Sequence, residues 1–141
     1  MTDPSQSLVL LAAQLREEDT PISQHIVEPA EEPALGERVA SGPRAATAPG
    51  EYALTVESVR EGYLLHYGEP RLRAGHDADL ALLAGDYLYA LGIERLAALG
   101  DAPAVLELAN LISGCAQLHT ENREAEVPGR WQDSVRAIGG S

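Results

Sequence analysis

The sequence predicts an all-α protein: a small helical bundle with an extended Pro-rich N-terminal arm. Three observations carry that prediction. Apolar residues recur at helical spacing in Leu8–Leu15, in Tyr52–Tyr67 and throughout Gly75–His119. Helix start and stop signals punctuate these runs at Asp3-Pro4, Gly68-Glu69-Pro70 and Gly100-Asp101-Ala102-Pro103. Residues 20–50, by contrast, are broken by Pro21, Pro29, Pro33, Pro43 and Pro49 and by Gly36, Gly42 and Gly50.

Residues 1–19 read as the first helix. Asp3 is its N-cap, Pro4 its first helical residue, and Gln6 follows the cap by one turn. Leu8, Leu11, Ala12 and Leu15 make one apolar stripe. Glu17, Glu18 and Asp19 crowd the C-terminal end, where the helix dipole disfavours acids, and Thr20-Pro21 stops the helix. Residues 20–50 follow as a linker or extended arm, in which neither helical nor strand periodicity persists. Ile22, Ile26 and Val27 form a short apolar cluster there, expected to dock on a partner.

Residues 51–121 are the expected helical core. Tyr52, Val56, Val59, Tyr63 and Tyr67 share a face of a helix over 51–67, widened by Leu64 and Leu65. Gly62 either weakens that helix by about 1 kcal/mol or admits a close neighbour. Asp77 or Asp79 caps the next helix, which runs to Leu99. Leu80, Leu83, Tyr87, Leu91 and Leu96 occupy one face; Leu82, Leu88, Ile93 and Leu99 fill the faces beside it. A helix apolar all round is expected to be buried all round. The few other helices cannot cover it, so a homo-oligomer or a larger host is expected. Ala81, Ala84, Gly85, Ala90 and Gly92 let neighbours approach closely.

Gly100 terminates this helix and Asp101 caps the next, from Ala102 to about His119, making an antiparallel hairpin. Val105, Leu108, Ala109, Ile112 and Ala116 form its face, beside Leu111, Cys115 and Leu118. Residues 122–141 read as a polar tail with one short helix. Trp131, Val135 and Ile138 lie on one side of it, and Trp131 is placed to pin the tail to the core or to a partner.

Composition excludes some functions. The chain has 141 residues and a net charge of −12, and all ten of its basic residues are arginine. Nucleic-acid binding needs clustered cations, and an anionic membrane surface repels such a chain. The N-terminal apolar run Leu8–Ala13 is too short for a membrane span or signal sequence, which makes a cytoplasmic protein the expectation. Cys115 is the single cysteine and cannot form an intramolecular disulfide.

Chemistry would centre on His76, Asp77, Asp79 and Asp86. An H-D-x-D start to a helix, with Asp86 further along, has the donors for a divalent metal. Asp77 and Asp79, however, point to different sides of a helix, and each has a role as cap or dipole partner. Asp86, set among apolar residues, is expected to find an Arg or Tyr partner. His25, His66 and His119 match no metal spacing, and Cys115 reads as a small hydrophobe. The reading therefore assigns no catalytic residue, metal or cofactor.

The stretch LALLAGDYLYALGIERLAALGDAPAVLELANLISGCAQL resembles the middle of trans-polyprenyl diphosphate synthases. The likeness lies in Ala81, Leu83-Ala84-Gly85-Asp86, Leu88, Gly100-Asp101, Gly114 and Gln117. It implies a fragment of the isoprenyl synthase fold. That family binds magnesium through D-D-x-x-D motifs followed by paired arginines. Here the corresponding region, YLLHYGEPRLRAGHDAD, has no paired aspartates, Arg71 and Arg73 are not adjacent, and there is no lysine. The resemblance thus implies the scaffold without its metal–diphosphate chemistry.

The expected function is a non-catalytic helical accessory or scaffold subunit that packs on itself or on a larger protein. Leu80, Leu83, Tyr87, Leu91, Leu108 and Ile112 would form a groove for an isoprenoid lipid or quinone tail. Ile22, Ile26, Val27, Trp131 and Val135 would grip the partner. The alternative, from another class, is a degenerate metal-dependent prenyl-chain enzyme using His76, Asp77, Asp79 and Asp86.

Overall fold

A computed structural model describes residues 3–75 and 77–140. Among these the chain is all-α, with helices α1 (Ser7–Glu17), α2 (Ala34–Ala40), α3 (Pro49–Tyr67), α4 (Ala78–Ala98), α5 (Ala102–Thr120) and α6 (Val127–Gly139). Short 3-10 turns at Pro4–Gln6, Ser23–His25, Pro43–Ala45 and Glu124–Glu126 lead into or join them. Among the described residues the one β-type contact is an isolated bridge between Ile26 and Arg73. No described helix is long and apolar enough to cross a membrane.

The central helix is α3. Thirteen of its 19 residues are buried, and α1, α2 and α4 all pack on it. On one side Tyr52, Val56, Val59 and Tyr63 meet α5 and α6. On the other Leu54 and Leu65 meet Leu8, Leu11 and Leu15 of α1 and Ala84 and Leu88 of α4. The longest apolar run of the sequence lies elsewhere, in Gly75–His119, so the pattern alone does not mark α3 as the centre. The reason is chemical. Glu57 and Glu61 interrupt the apolar pattern of α3, yet both are buried because Arg71 neutralises them from the following loop.

Glycines set the approach of α3 to α4. A Cβ at Gly62 would stand 2.8 Å from the Gly85 carbonyl oxygen, and one at Gly92 would stand 2.5 Å from Val59 Cγ2. The expected turn between α4 and α5 is present. Gly100 takes a φ of 79°, and the Asp101 carboxylate accepts the Ala104 N–H at 3.1 Å.

The expected extended arm is instead folded onto the bundle. Ser23 Oγ donates to the Leu15 carbonyl at 2.6 Å, closing the end of α1. Val27 N–H donates to the Leu72 carbonyl at 2.8 Å. Within 34–40 the chain is helical, Val39 and Ala45 are fully buried, and the Gly36 N–H donates to Glu57 Oε2 at 2.7 Å. A helix of 7 residues is too short to display a period, and glycine at 36 lets its backbone reach α3. The short helix expected in the tail is α6, and its Trp131, Val135 and Ile138 complete the core.

Candidate functional site

The candidate site is the outer face of α4. The helix starts where the Asp77 carboxylate accepts the Leu80 N–H at 3.0 Å, and Asp79 adds a negative charge to the first turn. Ala84, Gly85, Leu88, Gly92 and Leu96 face inward. Because α4 is apolar all round, its other sides also carry large hydrophobes. Leu83 is 67% exposed, Leu82 49% and Tyr87 38%. Within this chain the other helices thus leave one side of α4 uncovered.

Leu80, Leu83, Ala84 and Tyr87 face Thr20, Pro21 and Ile22 across a pocket of about 160 Å³ with almost wholly apolar walls. Two contacts hold α1 beside it. Tyr87 Oη donates to Glu18 Oε2 at 2.6 Å, and Arg95 donates to Gln14. Burial, reinforced by the hydrogen bond to Glu18, pushes the Tyr87 phenol up to about 12. It therefore stays protonated near neutral pH and serves as a donor.

The predicted six-residue groove is not assembled. Leu80 and Leu91 pack toward the α1–α3 cluster, whereas Leu108 and Ile112 belong to the cluster shared with α6, where Leu108 is fully buried. The period of α4 places residues on faces but does not say which face meets α3. The predicted partner contacts also separate. Trp131 and Val135 are core residues, 2% and 1% exposed, and Ile22 is buried in the pocket wall. Of that set only Val27 is exposed, with Ile26 half-buried.

The carboxylates do not converge. Asp77 is engaged as a cap, and Asp86 is exposed, its Oδ1 accepting from His66 Nε2 at 3.0 Å. The expected Arg or Tyr partner is thus a histidine, reached because Gly85 leaves room for the His66 ring. His76 lies outside the described residues. Among the described residues no three His, Cys, Asp or Glu side chains gather as metal ligands.

Sequence reasoning passed over a second cluster at the C-terminal end of α3. Tyr63 Oη and His119 Nε2 are 2.7 Å apart, Tyr67 stacks on His119 with centroids 4.0 Å apart, and His66 stacks on Tyr89. The available signal was Tyr63, His66 and Tyr67 at helical spacing. Burial raises the phenols of Tyr63 and Tyr89, which makes them poor bases at neutral pH. Burial also raises the Cys115 thiol, in keeping with its reading as a small hydrophobe.

No family model, no curated protein and no solved structure matches this chain. None of the three comparisons links the chain to the trans-polyprenyl diphosphate synthases.

Proposed function

We propose that the chain is a non-catalytic helical scaffold that docks on a larger protein through the outer face of α4. The observation that carries this reading is the exposure of Leu82, Leu83 and Tyr87 on one helix. Grouped large hydrophobes facing water mark interaction surfaces. The pocket beside them, about 160 Å³, falls below the roughly 300–1,000 Å³ of sites that enclose small ligands. It suits one apolar side chain of a partner better than a whole isoprenoid or quinone tail. Asp79, Asp86 and Glu94 line the same face and are exposed. Against a second copy they would bring like charges together, so a partner with a basic rim is the better complement.

The test is to purify the tagged protein from its own cells and weigh its complexes by native mass spectrometry, with lipid extraction alongside. The wild type is expected with a stoichiometric partner, and Leu83→Asp without it at an unchanged melting temperature. A lipid-free monomer would overturn the proposal, as would a complex indifferent to Leu83→Asp. A polyprenyl compound bound to the wild type alone would replace the protein partner with a lipid.

A further inference from the structure

Arg60 is exceptional among the ten arginines. Each of the other nine donates at least one hydrogen bond; among the described residues Arg60 has no hydrogen-bond acceptor and no ion-pair partner. Its guanidinium carbon lies 4.9 Å from the centre of the Trp131 ring and 5.3 Å from that of Tyr63. Ring faces orient a guanidinium but leave its N–H groups without acceptors. Burial, with the nearby Arg71 cation, pushes its pKa down. Glu57 acts in the opposite direction, but its oxygens are engaged by Arg71 and by the Gly36 N–H.

A second, independent observation concerns Trp131. The residue is 2% exposed, and its indole N–H is buried without an acceptor. A buried donor left unpaired costs about 1–3 kcal/mol. Arg60 and Trp131 line the same cavity, about 300 Å³, between the α2–α3 side and the start of α6. Gln132 stands at its wall with its side-chain oxygen already taken by Arg38, which leaves the amide NH₂ as its free donor. Leu35, Val127 and Pro128 supply apolar walls.

We propose that this cavity binds a small organic monocarboxylate, its carboxylate on Arg60 and its apolar body against Leu35, Val127 and Pro128. The site has donors lacking acceptors, an apolar end and a volume within the small-ligand range. A guanidinium pairs with a carboxylate through two parallel hydrogen bonds, which orients the acid. Glu124 is exposed on the cavity lining, and the whole chain carries −12. Both disfavour phosphates and dicarboxylates relative to a single negative charge. The site lies apart from the outer face of α4 and does not depend on the docking proposal.

Trp131 is the only tryptophan, so its emission and its indole N–H resonance report on this cavity alone. The experiment titrates the full chain with hexanoate, with hexanamide, with inorganic phosphate and with a short peptide ending in a free carboxylate. Hexanoate is expected to give a saturable change in Trp131 fluorescence and to move the indole resonance, and hexanamide and phosphate to give neither. Arg60→Gln should weaken hexanoate by about tenfold or more, the loss of one charge-assisted pair. Should Arg60→Gln fail to fold, the hexanoate–hexanamide comparison on the wild type decides. Absence of a saturable change up to millimolar hexanoate would overturn the proposal, as would equal binding of hexanamide or phosphate. A peptide acid that binds where hexanoate does not would overturn the free-acid assignment in favour of a chain terminus.

Discussion

Arg71 lies buried against Glu57, its Nη1 2.6 Å from Oε1. Its Nε reaches Glu61 Oε1 at 3.0 Å, and Glu61 Oε2 also accepts the backbone N–H groups of Arg71 and Leu72. One loop residue thus neutralises two carboxylates within the central helix. Arg71→Met leaves both acids buried without their cation. The expected loss is about 3–5 kcal/mol, a large share of a small domain's stability. Combining Arg71→Met with Glu57→Gln and Glu61→Gln should recover part of it. Urea denaturation of the single and triple variants checks both statements, and a triple variant no more stable than Arg71→Met would refute the charge argument.

Two glycine substitutions, one at the α3–α4 contact and one in α6, should act in opposite directions. A Cβ at Gly85 would stand 2.5 Å from His66 Cδ2 and 3.0 Å from the Gly62 carbonyl oxygen. Gly85→Ala should cost about 1–3 kcal/mol through overpacking, despite alanine's better helix propensity. A Cβ at Gly129, in the first turn of α6, would meet no neighbouring group within 4 Å. There Gly129→Ala should stabilise by about 0.4–1 kcal/mol. Thermal melts of the two variants should shift in opposite senses.

Asp101 gives stability an acid limb. Burial raises its pKa, but hydrogen bonds from Tyr52 and the Ala104 N–H and the charge of Arg44 outweigh it, and the net shift is downward. A group depressed in the folded state stabilises fully above its unfolded value of about 3.9. That contribution is lost as pH falls through the folded value. Asp101→Asn keeps a good N-cap and removes the charge. Its melting temperature should match the wild type more closely below pH 4 than at pH 7; a constant difference across that range would sink the assignment.

The tyrosines give an alkaline limb of the opposite sign. Burial raises Tyr52, Tyr63, Tyr87 and Tyr89, with the Glu18 hydrogen bond adding to the rise of Tyr87 to about 12. A raised phenol stabilises the fold below its unfolded value of about 10 and loses that contribution as pH rises toward the folded one. Absorbance at 295 nm should therefore lag behind that of free tyrosine above pH 10, then rise together with the loss of helical circular dichroism. Tyrosinate formation at the free-tyrosine value would contradict the burial of these rings.

The helices and their ends were legible in the sequence because their signals are local. Asp77, Gly100 and Asp101 act within a turn of themselves, and each does in the structure what its position implies. The short α2 was illegible because its burial depends on Gly36 meeting Glu57, far along the chain. The Arg60 cavity was illegible for the same reason, since it needs α2, α3 and α6 in place.

By itself, then, the sequence determined an all-α chain, the positions of its main helices and the apolar character of α4. Only the tertiary structure decided that α3 is central, that Glu57 and Glu61 are buried, and that Leu83 rather than Leu88 faces water. Helical periodicity follows from local backbone geometry and capping. Which face of an all-apolar helix is covered, and which carboxylate finds its cation, depends on partners distant in the chain.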